Sequence, residues 1–177
     1  VPILKQLLSL LPAQPTGAAL EIATGTGAHL ETYAPAFPSL TFHPSEFVPE
    51  VAATPEKQWA THGKIGLRPG LDELANIDAH GCKVFSNVLP AVALDLSVPY
   101  DAWPTSVRGA AGTFSLVVCS NTLHITPWSC SLGLLHGAAA VLAAGGHLVI
   151  YGPFKVNGAY VGSDGGAGNA KFDAKLR

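Results

Sequence analysis

The residues most suited to chemistry begin at Thr24-Gly25-Thr26-Gly27, which follows an apolar run, 18–23, broken only by Glu21. Glycines in such a loop let a ligand approach the main chain, and a helix opening behind them offers unpaired N–H groups. An ordinary turn fits the same four residues. A dinucleotide fingerprint would want Gly or Ala where Leu30 stands, which makes a nicotinamide dinucleotide the weaker reading. Glu21 lies near the end of a buried strand, where a carboxylate is costly unless it is paired or hydrogen-bonded. Glu46 comes nineteen residues after Gly27, close to the roughly 20-residue interval at which an acidic group grips ribose hydroxyls. Asp95 ends a third apolar run. Strand propensity disfavours acidic residues, so a row of carboxylates at three successive strand ends suits one nucleoside site. In that arrangement Glu21 lies by an amino-acid tail, Glu46 at the ribose and Asp95 at the adenine amino group. A structural bond to loop N–H groups serves equally for Glu21, a solvated or helix-terminal charge for Glu46, and a loop cap for any of the three.

These residues must be positioned by alternating strands and helices. Residues 1–11 carry Ile3, Leu4, Leu7, Leu8 and Leu11 at helical spacing, and Pro12 ends the pattern. Strands are expected at 18–23, at 40–43 with Pro44 as terminator, and at 91–94, 114–119 and 147–151. Helices are expected over 28–37 and part of 49–62. Trp128, Leu132, Leu135, Ala139 and Leu142 form a stripe that reads as the face of a helix packed on a sheet. Thr126 and Pro127 suit its N-cap and first position, and Gly145 or Gly146 a left-handed exit. Residues 63–86 are irregular and glycine-bearing, long for a connection in a compact domain, and read as a surface insertion, with a short helix possible at 71–79. The glycine-rich 162–168 reads as a mobile loop. Alternation of this kind gives an α/β domain with a mostly parallel sheet, whose ligands bind at the carboxyl ends of the strands.

Composition narrows the function classes. The 177 residues suffice for one domain with its own core, and 48% hydrophobic against 12% charged residues excludes disorder. A formal net charge of -2 supplies no field toward nucleic acid or an anionic membrane. Cys82, Cys119 and Cys130 have no metal-type spacing and read as core or surface thiols. The seven histidines show no zinc pattern. The apolar region 132–151 is interrupted by His136, Gly145, Gly146 and His147, so no transmembrane helix is expected and neither membrane nor nucleic acid is a foreseen partner. The first residue is Val1, so an original N-terminus and any targeting signal can be missing; a cytoplasmic setting is the default expectation.

Several segments occur together in a familiar order: Leu20-Glu21-Ile22-Ala23-Thr24-Gly25-Thr26-Gly27, Pro44-Ser45-Glu46, Leu94-Asp95-Leu96, the stretch from Asn121 to Trp128, and Tyr151-Gly152-Pro153-Phe154. With Asn169, Phe172, Asp173, Leu176 and Arg177 in the tail, the chain resembles the methyltransferase-like protein 26 family nearly end to end. The resemblance implies a Rossmann-like class I methyltransferase core with strand order 3-2-1-4-5. It also implies an S-adenosylmethionine site carried at Glu21, Ala23, Gly25, Gly27, Glu46 and Asp95, with Ser120 beside them. Ala23 stands where the wider superfamily has its first loop glycine. Only 26 residues follow Tyr151, so the chain reads as a fragment without the antiparallel strand pair that usually closes the sheet, leaving an unpaired edge.

Methyl transfer is an in-line displacement in which a protein mainly positions the reactants and sometimes removes a proton. Past the fourth strand, Asn121 and His124 are the catalytic candidates, and an imidazole of ordinary pKa about 6.5 suits a general base. A histidine bonded to a backbone carbonyl and an asparagine capping a turn are the structural alternatives. Trp128, Tyr151 and Phe154, with Tyr160, are candidates for the wall of an acceptor pocket, although aromatic residues there also serve simple packing. The leading function is therefore an S-adenosylmethionine-dependent methyltransferase of unknown acceptor, a small molecule or a protein. A non-catalytic cofactor-binding sensor or interaction module is the alternative, and a nicotinamide-dependent oxidoreductase a weaker third.

Overall fold

A computed structural model describes residues 2–48, 71–162 and 164–176. Its centre is a parallel sheet of β1 (Gly17–Ile22), β2 (Leu40–Glu46), β3 (Val92–Ala93), β4 (Phe114–Ser120) and β5 (Leu142–Tyr151), ordered β3-β2-β1-β4-β5. The expected order is thus observed. The chain lays down β1 to β3 outward in one direction, then returns across β1 to add β4 and β5. The point of reversal lies between β1 and β4, and both strands release their chains at the same end of the sheet.

Period-2 alternation divides the strand residues between two cores. Ala18, Leu20 and Ile22 of β1, with Val117 and Cys119 of β4, face α5 (Trp128–Val141) and the segment bearing Trp103 and Val107. Ala19, Leu116 and Val118 face the opposite layer, built from α1 (Pro2–Leu10), α2 (Leu30–Ala36) and α3 (Leu71–His80). Glu21 shares the parity of Ala19 and therefore turns toward α2. A short helix, α4 (Thr105–Arg108), precedes β4.

The expected helix within 49–62 and the first part of the expected insertion lie outside the described residues. In the remainder of that stretch α3 sends Ile77 into the core with 0% exposure. β2 does not stop at Pro44 but runs to Glu46. Phe42 and Glu46 turn their backbone groups toward the β3 side, where Phe42 bonds Asn87 and Leu89 and Glu46 bonds Leu94. Pro44 has the same parity and falls in the interval between these bonds, so its missing N–H costs no ladder bond.

Helix α5 buries a different stripe from the expected one. Cys130, Leu134, Gly137, Ala138 and Val141 face the sheet, while Trp128, Leu132 and Leu135 are 73%, 42% and 49% exposed. The helix is apolar on both sides, and it is the side of small residues that can approach closely. A Cβ on Gly133 would lie 1.7 Å from the Leu96 carbonyl oxygen, and one on Gly137 2.0 Å from the Trp103 ring. Helix α5 also ends earlier than expected, with Leu142 already extended; Gly145, at φ 79, bends β5 rather than capping the helix. Its N-cap is Pro127, one residue later than foreseen.

A small C-terminal antiparallel pair is present after all, but it does not extend the main sheet, in which β5 stands at the edge among the described residues. β6 (Lys155–Val156) and β7 (Ala159–Tyr160) form a separate two-stranded hairpin. Its turn is Asn157-Gly158, at φ 52 and 79, the residue pair that best tolerates two successive left-handed conformations. The glycine-rich stretch beyond it is not a plain loop either. Asp164 accepts the Gly166 and Gly168 N–H groups at 3.0 and 2.7 Å and leads into α6 (Ala167–Leu176).

Candidate cofactor site

The loop after β1 is shaped by three residues with positive φ: Ala23 at 54°, Gly25 at 66° and Gly27 at 85°. A left-handed conformation costs an L-residue roughly 1–2 kcal/mol, and Ala23 is held there while its methyl packs against the core. Thr24 and Ser45 tie the loop to the neighbouring strand. The Ser45 N–H donates to Thr24 Oγ1 at 3.3 Å, the Thr24 N–H to the Ser45 carbonyl at 3.0 Å, and the Ser45 hydroxyl to the Glu21 carbonyl at 2.8 Å. The carboxyl ends of β1 and β2 are thereby locked together.

Above them opens a cavity of ≈ 320 Å³, within the range of small-molecule sites. Its wall takes residues from the ends of four strands: Ala23, Thr24, Gly25 and His29 after β1, Glu46 and Phe47 at β2, Leu94 and Leu96 after β3, and Ser120, Asn121 and Thr126 after β4. A Cβ at Gly25 would meet nothing within 4 Å, so the main chain there is open to an incoming ligand. Ser120 Oγ and Thr126 Oγ1 are buried on this wall with no hydrogen-bond partner among the described residues. Buried polar groups normally have partners, and a polar ligand would supply them.

Glu46 is 9% exposed and uses both carboxylate oxygens: Oε2 accepts the Gly25 N–H at 2.7 Å and Oε1 accepts the Phe47 N–H at 2.8 Å. Burial pushes its pKa up, and these two donors act against that push. An ionised carboxylate has about four acceptor positions, so lone pairs remain for ligand hydroxyls. Here the loop-bonding and ligand-gripping readings of Glu46 are compatible.

Three of the expected cofactor residues do not reach the cavity wall. Gly27 instead admits α3, since a Cβ there would press on His80 at 3.1 Å and on Ile77 Cα at 3.3 Å. The Asp95 carboxylate accepts the Ser97 N–H at 2.8 Å and its hydroxyl at 2.7 Å, closing a local turn, while its neighbours Leu94 and Leu96 line the cavity. Glu21 is 2% exposed and lies behind His29, whose Nδ1 is 3.3 Å from Glu21 Oε1. Burial pushes the Glu21 pKa up more than His29 pulls it down, and the Glu21 carboxylate pulls the His29 imidazole up. His29 was not singled out in the sequence, where an eight-residue separation from Glu21 has no strand or helix meaning.

Asn121 stands at the junction with a second, more open cavity of ≈ 700 Å³. Its φ is 55°, and its N–H donates to the Tyr151 carbonyl at 2.8 Å. His124 and Tyr151 line this second cavity with Asn169 and Phe172 of α6. The His124 ring meets Phe172 edge-on at 5.2 Å, its Nδ1 is buried without a partner among the described residues, and burial lowers its pKa. Trp128 and Phe154 lie apart from it, in a shallow apolar cavity of ≈ 430 Å³ that also touches His124. Phe172 was legible only as part of a tail pattern, because nothing local in the tail announces a contact with His124. Among the described residues there is no group of three potential metal ligands, and no helix is long and apolar enough to cross a membrane. The three cysteines are free thiols, with Cys119 and Cys130 buried.

A family model described as "protein of unknown function (DUF938)" matches residues 1–177. The chain belongs to the DUF938 family. Among solved structures, this DUF938 chain is similar to a candidate methyltransferase of Bacillus halodurans C-125, with TM-score 0.56, 18% identity, and coverage of 85% of this chain and 50% of that one. It is also similar to the CurJ carbon methyltransferase, with TM-score 0.56, 18% identity, and 87% and 34% coverage. A third is phosphoethanolamine N-methyltransferase 2 of Haemonchus contortus, solved with S-adenosyl-L-methionine, at TM-score 0.53, 17% identity, and 83% and 26% coverage. The DUF938 chain thus spans half or less of the length of each of these proteins. Identities this low establish the shared methyltransferase-like fold and nothing finer.

Proposed function

We propose that this DUF938 chain is an S-adenosylmethionine-dependent methyltransferase of the methyltransferase-like protein 26 type, acting on a small-molecule or protein acceptor. The observation that carries the reading is the left-handed loop at Ala23 and Gly25 opening onto a cavity at the switch point of the sheet, with Glu46 on its wall. The residues present suit the cofactor: open main chain at Gly25, a carboxylate at Glu46 for ribose hydroxyls, and orphaned hydroxyls at Ser120 and Thr126. When bound, S-adenosylmethionine supplies an electrophilic methyl group on a sulfonium.

The chain's own residues would then hold and align the reactants. Leu94, Leu96 and Phe47 exclude water from the nucleoside, and Glu21 acts from behind through His29. Asn121, which borders both cavities, would orient the acceptor where they meet. His124 would take the acceptor's proton on a neutral imidazole, whose place on the wall of the second cavity and depressed pKa suit a base at neutral pH. Tyr151 would wall the acceptor's approach, with Trp128 and Phe154 bordering it from the adjoining apolar hollow.

Calorimetric titration with S-adenosylmethionine, S-adenosylhomocysteine and NAD tests the site. Binding of the two adenosyl sulfur compounds without NAD is expected, and NAD binding alone would overturn the reading. Label transfer from S-adenosylmethionine into a cell extract then separates an enzyme from a binding module, which would hold cofactor without forming product.

A further inference from the structure

The cofactor cavity has one acidic and one basic side chain on its wall, Glu46 and His29; no Lys or Arg reaches it among the described residues. The ligand proposed for it carries an α-carboxylate, and an enclosed carboxylate is costly unless a donor or a positive charge meets it. We propose that His29 receives the carboxylate of the cofactor's amino-acid tail, so that it decides whether the cavity accepts a tailed adenosyl ligand over a tail-less one. The inference rests on the cofactor reading above.

The geometry prepares His29 for this task. Its Nδ1 faces Glu21 Oε1 at 3.3 Å, which leaves Nε2 as the nitrogen not engaged with Glu21. A partner on one ring nitrogen fixes the role of the other. The ring stacks on Tyr33 at 5.3 Å with planes 26° apart, which holds its orientation. The side chain is 31% exposed, whereas Glu21 is 3% exposed, so the imidazole is the member of the pair within a ligand's reach. Among the described residues, the charged and titratable groups about it are Glu21 from β1, Tyr33 from α2 and Glu46 from β2. A buried carboxylate behind the imidazole stabilises its cationic form, and its raised pKa agrees with that. Glu21 thereby has a role that its absence from the cavity wall would otherwise deny it: it is a positioning residue acting through His29.

The test compares three ligands by calorimetry on the full chain. They are S-adenosylhomocysteine, its decarboxylated 3-aminopropyl analogue and 5′-methylthioadenosine, which has no tail. The wild-type chain is expected to bind S-adenosylhomocysteine at least tenfold more tightly than the decarboxylated analogue. His29→Gln should erase most of that preference, weakening S-adenosylhomocysteine about tenfold and leaving 5′-methylthioadenosine within twofold. His29→Ala is the second variant, and thermal denaturation of both reports their folding. Wild-type discrimination below twofold overturns the proposal, as does an equal loss for all three ligands in a folded His29 variant. If the wild-type chain binds none of the three, the cofactor reading itself falls; if it binds all alike, that reading stands and only the role of His29 is lost.

Discussion

In the proposed function, Gly25 and His124 would divide the work of the site between holding a ligand and moving a proton. At Gly25 the φ of 66° and the empty space beyond its Cβ direction make two separate demands on a side chain. Gly25→Val is expected to abolish S-adenosylhomocysteine binding, because its methyl groups would enter the cavity. Backbone strain adds roughly 1–2 kcal/mol of destabilisation. Gly112 has a φ of 76° and equally open surroundings away from the cavity, so Gly112→Val carries the strain alone. Calorimetric titration should show binding lost in the first variant and kept in the second. His124→Ala should leave cofactor affinity unchanged and lower methyl transfer about 100-fold or more, the usual contribution of a general base. Burial lowers the His124 pKa from 6.5, so its neutral, proton-accepting form persists to more acidic pH. The acid limb of the wild-type rate profile is therefore expected below pH 6.5, and the variant should lack that limb. At this scale the glycine loop and Glu46 were legible as candidates, because residue type and spacing point to a strand-to-helix turn with an acidic residue nearby, and both do line the cavity. The Glu21–His29 pair was not, because it depends on which face of β1 looks toward α2.

Helix α5 shows why an element's pattern can name a helix and misplace its face. Two apolar stripes run along it, and the bulkier one, Trp128, Leu132 and Leu135, looked like the buried one. Packing chose the other: Gly133 and Gly137 let the helix settle against Leu96 and Trp103, a contact that large side chains would forbid. Gly133→Ala tests this directly. Alanine gains about 1 kcal/mol over glycine in a helix interior. The new Cβ would nevertheless lie 1.7 Å from the Leu96 carbonyl oxygen, and backbone must move. A net loss of about 1–3 kcal/mol is expected, the usual range for overpacking. For a domain of this size that lowers Tm by roughly 2–12 °C, measurable by scanning calorimetry. Leu96 also lines the cavity proposed to hold the cofactor, so S-adenosylhomocysteine affinity should fall in the same variant. The C-terminal hairpin went unforeseen for a different reason. Asn157-Gly158 is a strong turn signal, but each flanking strand has only two residues, too few for alternation to register.

At the scale of the whole molecule, two separate cores clamp one sheet, and the cavity sits where loops from both layers meet at its carboxyl edge. A ligand there bridges segments that are far apart in sequence and should stabilise the native chain as a unit. At a free concentration one hundred times its Kd, S-adenosylhomocysteine is expected to add about 2.7 kcal/mol. For a chain of this length the shift in Tm should be roughly 5–11 °C. Gly25→Val should show none of it, which ties the stabilisation to the cavity rather than to nonspecific binding.

The order of apolar runs, the glycine loop and the alternation of strand and helix were enough to announce an α/β domain with a mostly parallel sheet, since parallel connections allow few topologies; the 3-2-1-4-5 order observed here came only with the family resemblance. Only the tertiary structure decided which carboxylates reach the ligand cavity. Glu46 lines it, Asp95 turns into its own loop, and Glu21 stands behind an imidazole. Sequence records each residue's chemistry and its phase along one element. Whether a side chain meets a cavity, a neighbour or its own backbone depends on how several elements are rotated against one another, and close packing fixes that rotation.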